Sequence, residues 1–328
     1  MEDFRDSSHH TGQTATVEGY AALKSGAAVV EHPERALLRL SGKDPAGMLN
    51  AILTNDVPKE VNRGVYAMLL NPKGRILSDL RIIKHGKDIV IVTEAGGASA
   101  AKETLGRYAP FSRVKLEDLS GATEPWSILG LYGPEAKGLL GGPDLTEHET
   151  TELEAADGSV LAVGVAAPVP GYDLIGPSSI ISAARDYLLD RGAVPADFDP
   201  YETARIEAGV PRYGADVTPE NFPGETGLLE RAADFGKGCY PGQETVARMH
   251  YRGHPNKTLH RLAFVGTPAE QGADIIQNGK AVGRITSVAP LSLDGKIFAL
   301  GYLSRNADLE APLKVGETTV SSLGPVRL

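Results

Sequence analysis

Cysteine is almost missing from this chain, with Cys239 standing alone among 328 residues. A single thiol excludes an intramolecular disulfide, a structural zinc site built on several cysteines, and an iron–sulfur cluster ligated by this chain's cysteines alone. Long apolar runs are missing too. The best, Val160 to Val169, is broken by Gly164 and Pro168 and falls short of the roughly 18 residues a membrane helix needs. A basic excess is also lacking: 33 Lys and Arg against 42 Asp and Glu give a net charge of −9, a poor basis for wrapping DNA. The opening MEDFRDSSHH is acidic and polar where a secretory signal is basic and then apolar, so a reducing cytoplasmic setting is expected.

What is present is the balance of a globular protein, with 41% hydrophobic and 23% charged residues. The length suggests about two or three domains. Met1 to Thr16 carries almost no apolar pattern and is expected to be a mobile tail. Ala36 to Leu40 reads as a strand, and Asp44 with Pro45 then caps a helix running to about Leu53. A meander follows: Val65 to Leu70, the turn Asn71-Pro72-Lys73-Gly74, then Arg75 to Lys84 and Asp88 to Glu94. Alternation on its middle strand puts Ile76, Ser78, Leu80 and Ile82 on one face and Leu77, Asp79, Arg81 and Ile83 on the other. Asp79 is thereby within salt-bridge reach of Arg81.

Ala98 to Gly106 has helical texture, and residues 121–195 read as an inserted split βαβ lobe. That lobe holds a strand at Trp126 to Tyr132, a short helix after Pro134, a hairpin around Asp157-Gly158, a strand at Tyr172 to Ile175 and a helix from Ser178 to Leu189. Asp199-Pro200-Tyr201-Glu202 has the form of a capping box for a helix ending at Gly209. From 255 to 328, short alternating runs separated by Gly, Pro and Asp turns predict a small antiparallel barrel.

The densest chemistry lies in KGCYPGQETVARMHYRG, Lys237 to Gly253. Lys237, Arg248, Arg252, Lys257 and Arg261 face one acid, Glu244, across this window and its flank, a local excess that suits an anionic ligand or a solvated basic face. Pro241 is placed to begin a helix, which sets Cys239 just before a helix N-terminus and near Lys237, where a thiolate is favoured. A free cysteine is also commonly a small buried apolar group. Metal-ligand spacing is not found: His148-Glu149 has no second histidine of a zinc helix, and Gly272 to Lys280 is followed by Ala281 where a phosphate loop needs Ser or Thr.

The KGCYPGQE stretch resembles the signature of the YgfZ family of folate-binding proteins, which are similar to the glycine-cleavage T-protein, an aminomethyltransferase. The resemblance runs from about Tyr20 through RLSGKDPAGMLNAILTND (Arg39 to Asp56), YAMLLNPKGRILSDLRI (Tyr66 to Ile82), RIEAGVPRYGAD (Arg205 to Asp216) and the terminal barrel. It implies an α+β, three-lobed, aminomethyltransferase-like folate-binding fold: a folate-binding region over 17–254 and a C-terminal antiparallel β-barrel over 255–328. Tetrahydrofolate or another reduced folate is the implied cofactor, with Tyr66, Asp79, Glu207, Lys237, Gln243 and Arg248 as cofactor-binding residues. Cys239, Lys237 and Asp79 are the implied catalytic residues, and Glu207 is the residue implied to hold the pterin. Where T-proteins carry paired acids, this chain has Ser78 and Asp79, so one carboxylate is lost.

Two activities follow from the resemblance. One is an accessory protein that supports iron–sulfur cluster assembly or repair in client enzymes, tRNA-modifying ones included, through bound folate and a reactive Cys239. The other is a tetrahydrofolate-dependent aminomethyltransferase or demethylase in which Asp79 does the work. Iron–sulfur client proteins and a weak tRNA contact are the expected macromolecular partners, with no DNA, no membrane and no metal.

Overall fold

A computed structural model describes residues 7–155, 158–267 and 269–328, with side chains from Thr16 onward. Its first helix, α1 (Ser7–Ser25), begins inside the segment expected to be a tail; the remainder of that segment, residues 1–6, lies outside the described residues. β1 (Ala28–Glu31), β2 (Arg35–Gly42) and the short α2 (Pro45–Asn50) follow. Asp44 caps α2 as its position predicts, its Oδ1 accepting the Gly47 N–H at 2.9 Å. The meander is β3 (Val65–Leu70), β4 (Ile76–His85) and β5 (Asp88–Glu94), followed by α3 (Ala95–Ser112) and β6 (Val114–Asp118). These strands make an antiparallel sheet in the order β3-β4-β5-β2-β6. The alternation on β4 is as read: Ile76, Ser78, Leu80 and Ile82 are fully buried, while Leu77, Asp79 and Arg81 face the other way and are partly exposed.

The second unit contains β7 (Trp126–Tyr132), α4 (Ala136–Leu140), β8 (Thr150–Ala155), β9 (Gly158–Val165), β10 (Gly171–Pro177), α5 (Ser178–Asp190) and β11 (Val194–Pro195). Its sheet runs β11-β1-β7-β10-β9-β8, so β1, from well before residue 121, sits inside it. Of the hairpin expected at Asp157-Gly158, the turn residue Asp157 lies outside the described residues, while β8 and β9 pair antiparallel on either side.

α6 (Phe198–Ala208) ends on Gly209, whose φ of +75° closes the helix in the left-handed conformation. Its start corrects the expected capping box. The cap position is Asp197, and Glu202 does not reach back to a cap; it accepts from Arg205 Nε at 2.7 Å and Nη2 at 2.6 Å. A buried bidentate pair outweighs one solvent-facing cap contact. After α7 (Leu229–Ala232) and α8 (Gln243–Arg252), the chain forms the barrel: β12 (Lys257–Val265), β13 (Asp274–Gln277), β14 (Lys280–Leu293), β15 (Lys296–Ser304), β16 (Leu313–Val315) and β17 (Thr318–Pro325). Its order β12-β15-β14-β13-β16-β17 closes through β17 on β12.

Arg205 joins this barrel to the body. Besides Glu202 it donates to Asp216 Oδ2 at 2.8 Å and to Ser287 Oγ on β14 at 3.0 Å, and Ser287 in turn donates to Asp216 Oδ1 at 2.7 Å. The RIEAG and YGAD stretches are thus held together as a buried ionic joint.

Candidate functional site

Between the two open sheets and α6 lies a cavity of about 110 Å³. At its base is Asp173, a fully buried acid in the otherwise apolar Tyr172 to Ile175 run. Asp173 Oδ2 accepts from Arg35 Nη1 at 3.1 Å and from Arg81 Nη1, and Oδ1 accepts from Tyr132. Burial alone would raise this carboxyl; the Arg81 and Arg35 guanidiniums instead hold it far below the usual carboxylate range. Arg35 and Arg81 come from the first sheet, Asp173 and Tyr132 from the second, so the knot fixes the cavity's two sides to each other. It also corrects an expectation: Arg81 pairs with Asp173 and not with Asp79, because Asp173 offers it a desolvated carboxylate across the cavity.

Asp79 is therefore left for the cavity. Its Oδ2 accepts from the Tyr66 hydroxyl at 2.9 Å, while its Oδ1 is buried with no partner. Burial raises its pKa despite the Tyr66 hydrogen bond. Ser78, its neighbour in the resemblance, is fully buried on the opposite face and shares a 2.9 Å hydrogen bond with Thr93 Oγ1. Glu94, at the end of β5, brings a second carboxyl to the cavity wall, and burial pushes it up to about 7. Glu34 lies alongside; burial opposes its ionisation, but the His32 hydrogen bond at 2.7 Å brings its pKa below the ordinary value.

Seven buried side-chain atoms lack a hydrogen-bond partner among the described residues, and six belong to residues lining this one cavity. They are the acceptors Asp79 Oδ1 and Glu34 Oε2, the donors Arg81 Nη2, Arg212 Nε and Arg231 Nε, and the ring nitrogen His148 Nδ1. An unmatched buried polar group is costly, so their convergence marks a ligand-shaped demand. A flat heterocycle with amide and amidine edges, as in a pterin, offers N–H donors to Asp79 and Glu34 and a carbonyl or ring-nitrogen acceptor to Arg212. The residues present fit a reduced folate in that respect.

The other residues singled out by sequence are placed elsewhere. Glu207 lies outside the cavity, where its Oε2 accepts from Tyr20 at 2.6 Å and Lys24 at 2.9 Å of α1. The lysine of the KGC stretch, Lys237, is a buried clamp: its Nζ donates to the carbonyls of Leu53 at 2.8 Å and Asn55 at 2.9 Å, and burial lowers its pKa. Cys239 is exposed and away from the cavity lining. Gln243 opens α8 and Arg248 pairs with Glu244 on its surface at 2.6 Å, neither reaching the cavity.

Pro241 does not begin α8. Pro241-Gly242 forms a turn against Asn71 to Gly74, where a Cβ on Gly242 would stand 2.7 Å from the Asn71 carbonyl. The basic window is not one face either, since Lys237 and His260 are buried and Arg248 is paired. Among the described residues no His, Cys, Asp and Glu cluster suits a metal ion, and no helix is long and apolar enough to cross a membrane.

Comparison with known proteins agrees with this architecture. Residues 3–237 match the family described as the GCVT N-terminal domain. The chain is similar to the tRNA-modifying protein YgfZ of Serratia proteamaculans, 26% identical with 88% of each chain covered. It is similar also to the aminomethyltransferase of Thermus thermophilus, 27% identical over 95% of this chain and 90% of that one. The crystal structure of glycine cleavage system aminomethyltransferase T from Bartonella henselae superposes with a TM-score of 0.81 at 21% identity, covering 95% of this chain and 88% of that one, which establishes the shared fold.

Proposed function

The chain belongs to the GCVT N-terminal domain family, and from that premise we propose that it is a reduced-folate-binding accessory protein of YgfZ type. The observation that carries this reading is the pair of unpartnered buried acceptors, Asp79 Oδ1 and Glu34 Oε2, that line one cavity together with the unpartnered donor Arg212 Nε. Asp79 and Glu34 accept from the ligand's donor edge, Tyr66 holds Asp79 in place, and Tyr201 and Phe198 supply apolar walls. A bound reduced folate supplies a carrier for one-carbon units or reducing equivalents; the protein's own part is to bind it and orient it.

Cys239 lies outside the cavity, on the exposed KGC loop that Lys237 pins to Leu53 and Asn55. In this reading the thiol meets a partner, an iron–sulfur client enzyme such as one that modifies tRNA. A single cysteine offers one thiolate ligand, so any cluster contact there is completed by ligands of the partner. The likeness to proteins named tRNA-modifying supports this direction.

One feature favours a second reading, transfer of a one-carbon unit to tetrahydrofolate: Asp79 is half-buried, raised in pKa and has one buried oxygen without a partner, the setting of a general acid or base. The test is activity of iron–sulfur enzymes in cells lacking the protein and supplied with variants. The accessory reading expects Cys239→Ser to fail as completely as a null. Full rescue by Cys239→Ser, with loss in Asp79→Asn, would instead support the transferase.

A further inference from the structure

Three elements bring an unpartnered nitrogen to the same cavity: Arg81 from β4, Arg231 from α7 and His148 from the loop before β8. Each is otherwise held in place. Arg81 Nη1 donates to Asp173, and Arg231 Nη2 donates to Glu147 while its guanidinium lies 5.3 Å from the Tyr66 ring centre. His148 is fixed by its backbone, the N–H donating to Gly164 at 3.0 Å and the carbonyl accepting from Gly64 at 2.8 Å. Its φ is +63°, in the left-handed region that few non-glycine residues occupy. The residue is 9% exposed and lines the cavity, its Nδ1 buried.

We propose that Arg81 Nη2, Arg231 Nε and His148 Nδ1 form a subsite for a single carboxylate group, separate from the Asp79 and Glu34 face that the folate reading assigns to the folate. The chemistry is specific. Two guanidinium N–H groups and one imidazole N–H are donors matched to a flat acceptor with two oxygens. The carboxylates of Asp173 and Glu147 already share these guanidiniums, so a doubly charged phosphate meets repulsion that a monoanion largely escapes. Burial, followed by the positive charges of Arg81 and Arg231, drives the His148 ring down to about 3, as expected for a pocket whose field is positive. Arg63 adds to that field and Asp173 opposes it.

The test follows the His148 imidazole by nitrogen-15 NMR in the full chain during titration with sodium acetate, sodium phosphate and sodium chloride at constant ionic strength. Acetate is expected to saturate and to raise the His148 midpoint by a unit or more, with phosphate at least tenfold weaker and chloride without saturation. Arg231→Gln is expected to weaken acetate at least tenfold, and Arg231→Lys, which keeps the charge against Glu147, to be intermediate. Acetate behaving like chloride would overturn the subsite, and phosphate binding as well as acetate would overturn its class. Displacement of acetate by tetrahydrofolate would return the three nitrogens to the folate site. The folate reading fails differently, by absence of tetrahydrofolate binding while acetate binding persists.

Discussion

Glu94 shows how much a single residue's setting decides. It stands against Arg35 from β2 and Glu34 just before it, Asp79 from β4 and Arg212 beyond α6. Burial pushes its carboxyl up to about 7, well above the 4.5 of an unfolded chain. The unfolded state then binds fewer protons than the native one between pH 4.5 and 7, so stability falls as pH rises through that window. Glu94→Gln is expected to remove the fall, gaining on the order of 3 kcal/mol at pH 8 and little at pH 4.5, measured by urea unfolding at the two pH values. His148 has the opposite sign. Its folded pKa near 3 lies below the ordinary 6.5, so its contribution is lost as pH drops below 6.5 toward 3.

Among the elements, the pairing of two turns explains why the KGCYPGQE stretch keeps its glycine. Gly242 has φ +83° and Gly74 has φ +80°, and their backbones pack so closely that a Cβ on Gly242 would lie 2.8 Å from the Gly74 Cα. Gly242→Ala therefore adds a clash to left-handed strain and is expected to cost roughly 2 kcal/mol or more, read as a drop in the urea midpoint at unchanged slope. The element pattern was largely legible from sequence. β3, β5 and β7 begin and end where alternation and turn residues place them, because those signals are local. β13 and β16 were not legible, being four and three residues long with too little room for a period. The site was less legible than the strands. Asp79 and Tyr66, named from sequence, line the cavity, but Glu207 lies on the α1 side of α6, and the lining residues Asp173, Glu94, His148 and Arg231 were not named since only the fold brings them together. An acid inside the apolar run Tyr172 to Ile175 was the one signal that could have pointed to Asp173.

At the scale of the whole molecule, an ionic joint between α6 and β14 accompanies the apolar contact of Ile206 with Leu259, Leu300 and Val326 where the barrel meets the body. Arg205→Ala leaves Asp216 buried without its cation and Glu202 with Arg212 alone, an expected loss of about 3–5 kcal/mol. Because Asp216 also accepts from Thr286 at 2.5 Å and Ser287 at 2.7 Å of β14, the loss is expected first as loosened barrel docking. Hydrogen exchange should show faster exchange in α6 and β14 before the meander β3 to β5 is affected. The same three-lobed arrangement sets the cavity at the meeting of two sheets and α6, so the ligand site depends on assembly of the whole body.

The most direct measurement is calorimetric titration with tetrahydrofolate of the wild type, Asp79→Ala and Glu207→Ala. One saturable site is expected in the wild type, at least tenfold weaker binding in Asp79→Ala, and near-wild-type binding in Glu207→Ala, whose partners Tyr20 and Lys24 lie outside the cavity. No saturable binding by the wild type, or loss of binding in Glu207→Ala with Asp79→Ala unchanged, would contradict that expectation.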